Sequence, residues 1–133
     1  MTNFNEFPHG QLPGSLELAY LGDTVYDLYV RRRLVITGGR MKDLHRAAVS
    51  QVRASAQSEA LARVEDMLTE EEQGVVRRAR NVKQSVPKSA TPGDYHRATA
   101  FEALLGYLYL LHRTDRLMEI LTTANPDKED VHA

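Results

Sequence analysis

The sequence contains no cysteine. That excludes disulfides, thiolate metal sites and cysteine nucleophiles, and suits a reducing compartment. A long apolar run is also missing. The longest uncharged one, Leu104 to Leu111, falls far short of the roughly 18 residues a membrane span needs. No signal-peptide pattern opens the chain, because Asn3, Asn5 and Glu6 interrupt its start. No sign of charge dominates: 17 Lys and Arg against 18 Asp and Glu leave a net charge of −1, which counts against binding polyanions by bulk charge. The five histidines, at positions 9, 45, 96, 112 and 132, lack metal-ligand spacing. These absences lead us to expect a soluble cytoplasmic protein with no membrane association.

The 133 residues that remain to be explained suit one compact domain that buries roughly two-thirds of its unfolded surface. Apolar residues recur at helical spacing throughout, and no stretch alternates long enough to read as a strand. A first helix is predicted over 15–34, between Pro13-Gly14 and Gly38-Gly39, a second from Met41 and a third over 55–68. Thr69-Glu70-Glu71-Glu72 is a capping box opening a fourth helix that ends near Asn81. Val82 to Ala90, with Pro87, reads as an exposed loop. Thr91-Pro92-Gly93-Asp94 then supplies an N-cap, a proline at the first helical position and an acid at the third, opening a long helix to about Arg113. A short helix over 115–123 follows. With neither repeats nor an internal linker, the whole chain, 1–133, reads as a single all-α domain, its ordered core about 12–124 and its tail, 125–133, frayed.

Two acids sit where a helical wheel places apolar residues. The first helix is apolar on most sides, and Asp23 falls between Leu16 and Val30, which predicts partial desolvation. From Tyr95 to Thr114 the sole acid is Glu102, on a stripe with Ala98, Leu105 and Tyr109. A buried carboxylate must be neutral, paired or bound to a cation, because an uncompensated one costs several kcal/mol. The ordinary explanation for one such acid is an arginine partner or a backbone cap; two acids on two buried helices point instead to a shared site. Each also has a glycine nearby, Gly22 and Gly106. Mid-helix glycine costs about 1 kcal/mol relative to alanine, and close approach of two helices is the usual compensation. Helices crossing at those glycines would bring Asp23 and Glu102 within reach of one ion, and an all-oxygen site favours Mg²⁺ or Mn²⁺ over Zn²⁺.

Here the residues resemble a known family. Tyr20-Leu21-Gly22-Asp23-Thr24-Val25-Tyr26-Asp27 is similar to the signature of ribonuclease III, and Phe101-Glu102-Ala103-Leu104-Leu105-Gly106 to that family's second catalytic segment. Tyr29-Val30-Arg31, Leu44-His45-Arg46-Ala47-Ala48, Arg78-Ala79-Arg80-Asn81 and Tyr95 to Glu102 resemble the short bacterial branch, Mini-ribonuclease III, which lacks a double-stranded-RNA-binding domain. The likeness runs from about Leu16 to about Leu121. It implies an all-helical homodimer that hydrolyses double-stranded RNA with Mg²⁺ to 5′-phosphate and 3′-hydroxyl ends, with Asp23 and Glu102 as catalytic metal ligands. It also implies maturation of the 23S ribosomal RNA precursor, with a ribosomal protein on that precursor as a candidate partner. The chain departs from the full-length pattern at Leu16, Ala19 and Thr99, where acids stand in that pattern, which puts a second metal per site in doubt. Asp27 is a secondary candidate, against the ordinary alternative of an i,i+4 pair with Arg31.

Duplex RNA is recognised through phosphates and 2′-hydroxyls, so it calls for positioned donors. Arg77, Arg78, Arg80, Asn81, Lys83, Ser85 and Lys88 supply them in a segment whose sole acid before Arg97 is Asp94. Lys42, His45, Arg46 and Arg53 are secondary candidates, while a helix end alone accounts for Arg31, Arg32 and Arg33. The alternative function is a non-catalytic ribonuclease III-fold protein that binds RNA or the ribosome.

Overall fold

The computed structural model describes Phe7 and residues 11–126; the tail expected to fray beyond Pro126 lies outside them. Six α-helices follow one another: α1 (Ser15–Thr37), α2 (Met41–Val52), α3 (Ala54–Val64), α4 (Glu70–Arg80), α5 (Pro92–Leu110) and α6 (Thr114–Ala124), with one 3₁₀ turn (Glu65–Met67) after α3. The described residues contain no strand, and none of their helices is long and apolar enough to cross a membrane. The all-α expectation holds, with some boundaries moved. α1 runs three residues further than expected, to a C-cap at Gly38 (φ 88°), a left-handed conformation that glycine adopts without strain. α5 stops at Leu110, before His112 at φ 58°, and α6 begins at once, at Thr114.

Local chemistry accounts for the best-defined starts. In the capping box at α4, the Glu72 backbone N–H donates to Thr69 Oγ1 (3.1 Å), and the Thr69 N–H donates to Glu72 Oε1 (2.9 Å). At α5, the Asp94 N–H donates to Thr91 Oγ1 (3.2 Å), with Pro92 at the first position. Glu72 is only 2 % exposed. Arg116 holds it in a fork, Nε to Oε2 at 2.9 Å and Nη2 to Oε1 at 2.7 Å. Burial alone would raise this carboxyl, but the Arg116 and Thr69 bonds outweigh it and leave its pKa lowered.

α5 is the axis of the domain. From Ala98 to Leu108 every residue is buried except Glu102, which is half-buried. α1, α3 and α4 pack around it, α1 most extensively. Tyr26 of α1 meets Phe101 edge-on at 5.1 Å between ring centroids. The Tyr26 hydroxyl donates to Asn125 Oδ1 (2.8 Å) just past α6.

α1 and α5 touch backbone to backbone. A Cβ built on Gly22 would sit 1.7 Å from the Glu102 carbonyl oxygen, and one on Gly106 would sit 2.0 Å from that of Leu18. The two glycines therefore mark a helix crossing, as the sequence suggests. The expected burial of α1 on most sides fails, however. Tyr20 is 83 % exposed, Leu28 69 % and Val35 68 %, so one apolar face of α1 is left uncovered among the described residues. Because the main-chain atoms at the crossing cannot yield, Gly22→Ala and Gly106→Ala should each destabilise the protein by roughly 3 kcal/mol or more, at the upper end of overpacking costs. Urea titration of both variants against wild type reads this directly.

Candidate active site

Gly22 immediately precedes Asp23, and Gly106 lies one turn beyond Glu102, so the crossing sets both acids beside one opening. This is a pocket of about 300 Å³ lined by Leu16, Ala19, Tyr20 and Asp23 of α1, Gln84 of the α4–α5 loop, and Tyr95, Thr99 and Glu102 of α5. The sequence-based pairing of the two carboxylates is thus met by the fold. The expected desolvation is met at Glu102 and not at Asp23, which is exposed. It projects from the open side of α1, leaving Glu102 as the deeper member of the pair.

Electrostatics follow from that asymmetry. Burial, reinforced by hydrogen bonding with and the charge of Asp23, pushes the Glu102 carboxyl up to about 8, while a hydrogen bond from Gln57 works in the opposite direction. Gln57, on α3 and 3 % exposed, donates from Nε2 to the Val52 carbonyl (2.7 Å) and makes a long contact from the same nitrogen to Glu102 Oε2 (3.4 Å). Its Oε1 is buried without a hydrogen-bond partner among the described residues.

The donor set is all oxygen and sparse. Among the described residues no three His, Cys, Asp or Glu side chains cluster closely enough to hold an ion. Asp23 and Glu102 are therefore the carboxylates a metal could use, and water or substrate oxygens would have to complete its shell. That matches Mg²⁺, which commonly takes one or two carboxylates plus phosphate oxygens, and does not match a closed four-ligand Zn²⁺ site. A cation would also offset the burial and the neighbouring Asp23 charge that disfavour the ionised form of Glu102.

Asp27 does not line the pocket. Its Oδ2 pairs with Arg31 Nε at 3.1 Å, one turn along α1, the ordinary alternative for such spacing. The basic candidates divide by location. Arg77, Arg78 and Arg80 lie on the exposed side of α4, and Asn81, Lys83, Ser85 and Lys88 are exposed beyond it. Lys42 and Arg46 are exposed on α2 and do not line the pocket. Arg97 closes the same basic stretch of sequence yet is spent inside the domain, in an ion pair with Glu65 and a 3.0 Å bond from Nε to Ser58 Oγ. Gln57 and Gln84 both stand at the carboxylate site, and no motif in the sequence marks a lone glutamine for such a place.

Residues 16–113 match the Ribonuclease III domain family, which makes this a nuclease domain of that class. Mini-ribonuclease 3 of Symbiobacterium thermophilum is 51 % identical over 111 residues, covering 82 % of this chain and 85 % of its own. That of Gloeobacter violaceus is 50 % identical over 108 residues, 80 % and 79 % of the two chains. A Fusobacterium nucleatum protein of known crystal structure superposes with a TM-score of 0.77 at 33 % identity, covering 82 % of this chain and 88 % of that one. The chain belongs to the ribonuclease III family, in the branch of the Mini-ribonuclease 3 proteins, and is an endoribonuclease.

The raised Glu102 pKa has a consequence for stability. Without metal, the unfolded chain loses this proton near the ordinary carboxyl value of 4.5 and the folded chain keeps it to about 8. Folding is therefore favoured at low pH, and that contribution is lost as pH rises through the interval. Glu102→Gln removes the titrating group at nearly constant shape. In EDTA its melting temperature should match wild type at pH 4 and exceed it at pH 9 by ~4 °C or more, the shift that roughly 1 kcal/mol produces in a domain of this size. Calorimetric scans across that pH range provide the check.

Proposed function

We propose that this chain is a homodimeric, divalent-metal-dependent endonuclease of double-stranded RNA, and that its cytoplasmic substrate is the 23S ribosomal RNA precursor. The observation that carries the reading is the meeting of Asp23 and Glu102 in one open pocket whose rim includes Gln84, the neighbour of Lys83 and Ser85 in the basic loop. Exposed cations beside an acidic pocket suit a polyanion whose backbone is gripped while one phosphate lies over the acids.

Asp23 and Glu102 would hold Mg²⁺, with Mn²⁺ as a substitute. When bound, the ion supplies Lewis-acid stabilisation of the phosphate and leaving oxygen, and acidifies the water that attacks in line. Everything else falls to the chain. The buried shoulder of α5 fixes Glu102, and α1 holds Asp23 at the mouth where a phosphate can approach. Glu102 must be ionised to act as a ligand, so cation uptake releases its proton. Arg77, Arg78, Arg80, Lys83 and Lys88 contribute charge to neighbouring phosphates, while Asn81 and Ser85 offer neutral donors suited to 2′-hydroxyls. Cleavage leaves 5′-phosphate and 3′-hydroxyl ends. The uncovered apolar face at Tyr20, Leu28 and Val35 supports pairing with a second copy, because an exposed stripe of this kind marks an interface. A two-fold pair carries two pockets, one for each strand.

Labelled duplex RNA incubated at low salt with Mg²⁺ should be cut on both strands, and EDTA should stop the reaction. Asp23→Asn should lower the cleavage rate at least 10³-fold or so with fold retained, a loss in keeping with removal of a group acting at the reacting phosphate. An active Asp23→Asn enzyme would remove Asp23 from the chemistry, and binding without cutting by wild type would favour a non-catalytic relative. Charge reversal at Arg78, Arg80 and Lys83 together should raise the Kd for duplex RNA by tenfold or more and flatten its salt dependence, at a melting temperature within about 2 °C of wild type. Filter binding at several salt concentrations measures both effects. Preferential cutting of the 23S precursor over an arbitrary duplex tests the assigned substrate.

A further inference from the structure

Residues 82–86 connect α4 and α5 without helix or strand, and their exposure alternates. Val82, Gln84 and Val86 turn partly inward, whereas Lys83 and Ser85 are exposed. The backbone bonds of this loop lie at its ends, from the Val82 N–H to the Ala79 carbonyl (3.3 Å) and from the Ala90 N–H to the Pro87 carbonyl (3.2 Å). Among the described residues, the middle of the loop is tied by a single hydrogen bond, in which Gln84 Nε2 donates to Thr99 Oγ1 at 2.8 Å. The Thr99 hydroxyl is itself oriented, because it donates to the Tyr95 carbonyl (3.1 Å) one turn earlier and so offers a lone pair to Gln84. Thr99 is 5 % exposed and stands three residues before Glu102, on the same face of α5. Both ends of this bond line the carboxylate pocket.

We propose that the Gln84–Thr99 hydrogen bond is a latch that sets the register of the basic loop over the pocket. It rests on the RNA-cleaving function proposed above and deepens it. Lys83 and Ser85 flank Gln84 at one Cα step of about 3.8 Å on either side, so fixing Gln84 against α5 fixes the roots of both. Phosphates held by those two side chains are then in a constant relation to the one over Asp23 and Glu102. Gln84 and Thr99 are positioning residues: they choose which phosphate is presented.

The test uses full-length protein, a short end-labelled RNA duplex and Mg²⁺. Gln84→Ala and Thr99→Val should each raise KM roughly tenfold, the scale of one lost well-placed hydrogen bond, and should spread cleavage from one phosphate to its neighbours on each strand. Thr99→Ser should cut at the wild-type position. The double variant should be no worse than either single one, and Lys83→Ala should cost clearly less in the Gln84→Ala background than in wild type. A melting temperature within about 2 °C of wild type for Gln84→Ala, whose side chain sits on a half-exposed loop, separates positioning from folding. Wild-type cut positions and KM in Gln84→Ala, or independent effects of Gln84 and Lys83, overturn the latch while leaving the nuclease intact. Failure of wild type to cut duplex RNA overturns both.

Discussion

The Gly22–Gly106 contact is the constraint on which the rest depends. Two helices ordinarily keep their axes 8–10 Å apart because side chains stand between them. Here the carbonyls of Leu18 and Glu102 occupy the space that side chains at the opposing glycines would fill. Asp23 follows one glycine directly and Glu102 precedes the other by a turn, so the same close approach that closes the core joins the two carboxyls. It also explains the unequal exposure of the pair. Glu102 sits on the one helix that the rest of the domain wraps and cannot escape burial, whereas Asp23 sits on a helix with an uncovered side. Stability and chemistry oppose each other at this crossing, since neutral Glu102 is what the folded chain prefers and ionised Glu102 is what a cation needs.

The arginines show how charge is divided between holding the fold and facing outward. Arg116 forks onto buried Glu72 and also donates from Nη2 to the Met67 carbonyl (2.7 Å). Arg63 and Arg33 donate to the carbonyls of Ala124 and Asn125 (2.9 Å each) at the end of α6, where the helix dipole favours positive charge. Arg97 closes on Glu65 and Ser58. By contrast, Arg77, Arg78, Arg80, Lys83 and Lys88 are exposed and form no ion pair among the described residues. A near-neutral protein can therefore still present a cationic face, because many of its acids either pair with internal arginines or lie on other surfaces.

Much of this was legible in the sequence, and for local reasons. Helical periodicity fixes fold class, and Thr69 with Glu72 and Thr91 with Asp94 mark helix starts through bonds that span three residues. The glycine pair was readable because glycine inside a helix demands a compensating contact. What stayed hidden depends on geometry between distant elements. A wheel shows that Tyr20 and Leu28 are apolar but not that, among the described residues, both stay exposed. Gln57 reaches Glu102 across 45 positions and Gln84 reaches Thr99 across 15, and no pattern announces an amide that will be used in this way. Arg97 closes the basic stretch that begins at Arg77 yet pairs with Glu65, and charge counts along the chain do not distinguish a cation facing solvent from one facing an internal acid.

The thinness of the acid cluster then acquires meaning. Leu16, Ala19 and Thr99 stand where the full-length ribonuclease III pattern has acids, and all three line the pocket. Leu16 and Ala19 give the pocket two apolar walls that offer no ligand, while Thr99 has its hydroxyl committed to Tyr95 and Gln84. On the proposed function, a cation held by only two carboxylates keeps most of its positions for water and for oxygens of the RNA. Substrate and cation would then strengthen each other's binding, and by linkage each would do so to the same extent. A site with a full ring of acids would hold its ion regardless of substrate. This one would reach its working charge state only when a phosphate arrives, and the loop anchored at Thr99 would help to decide which phosphate that is.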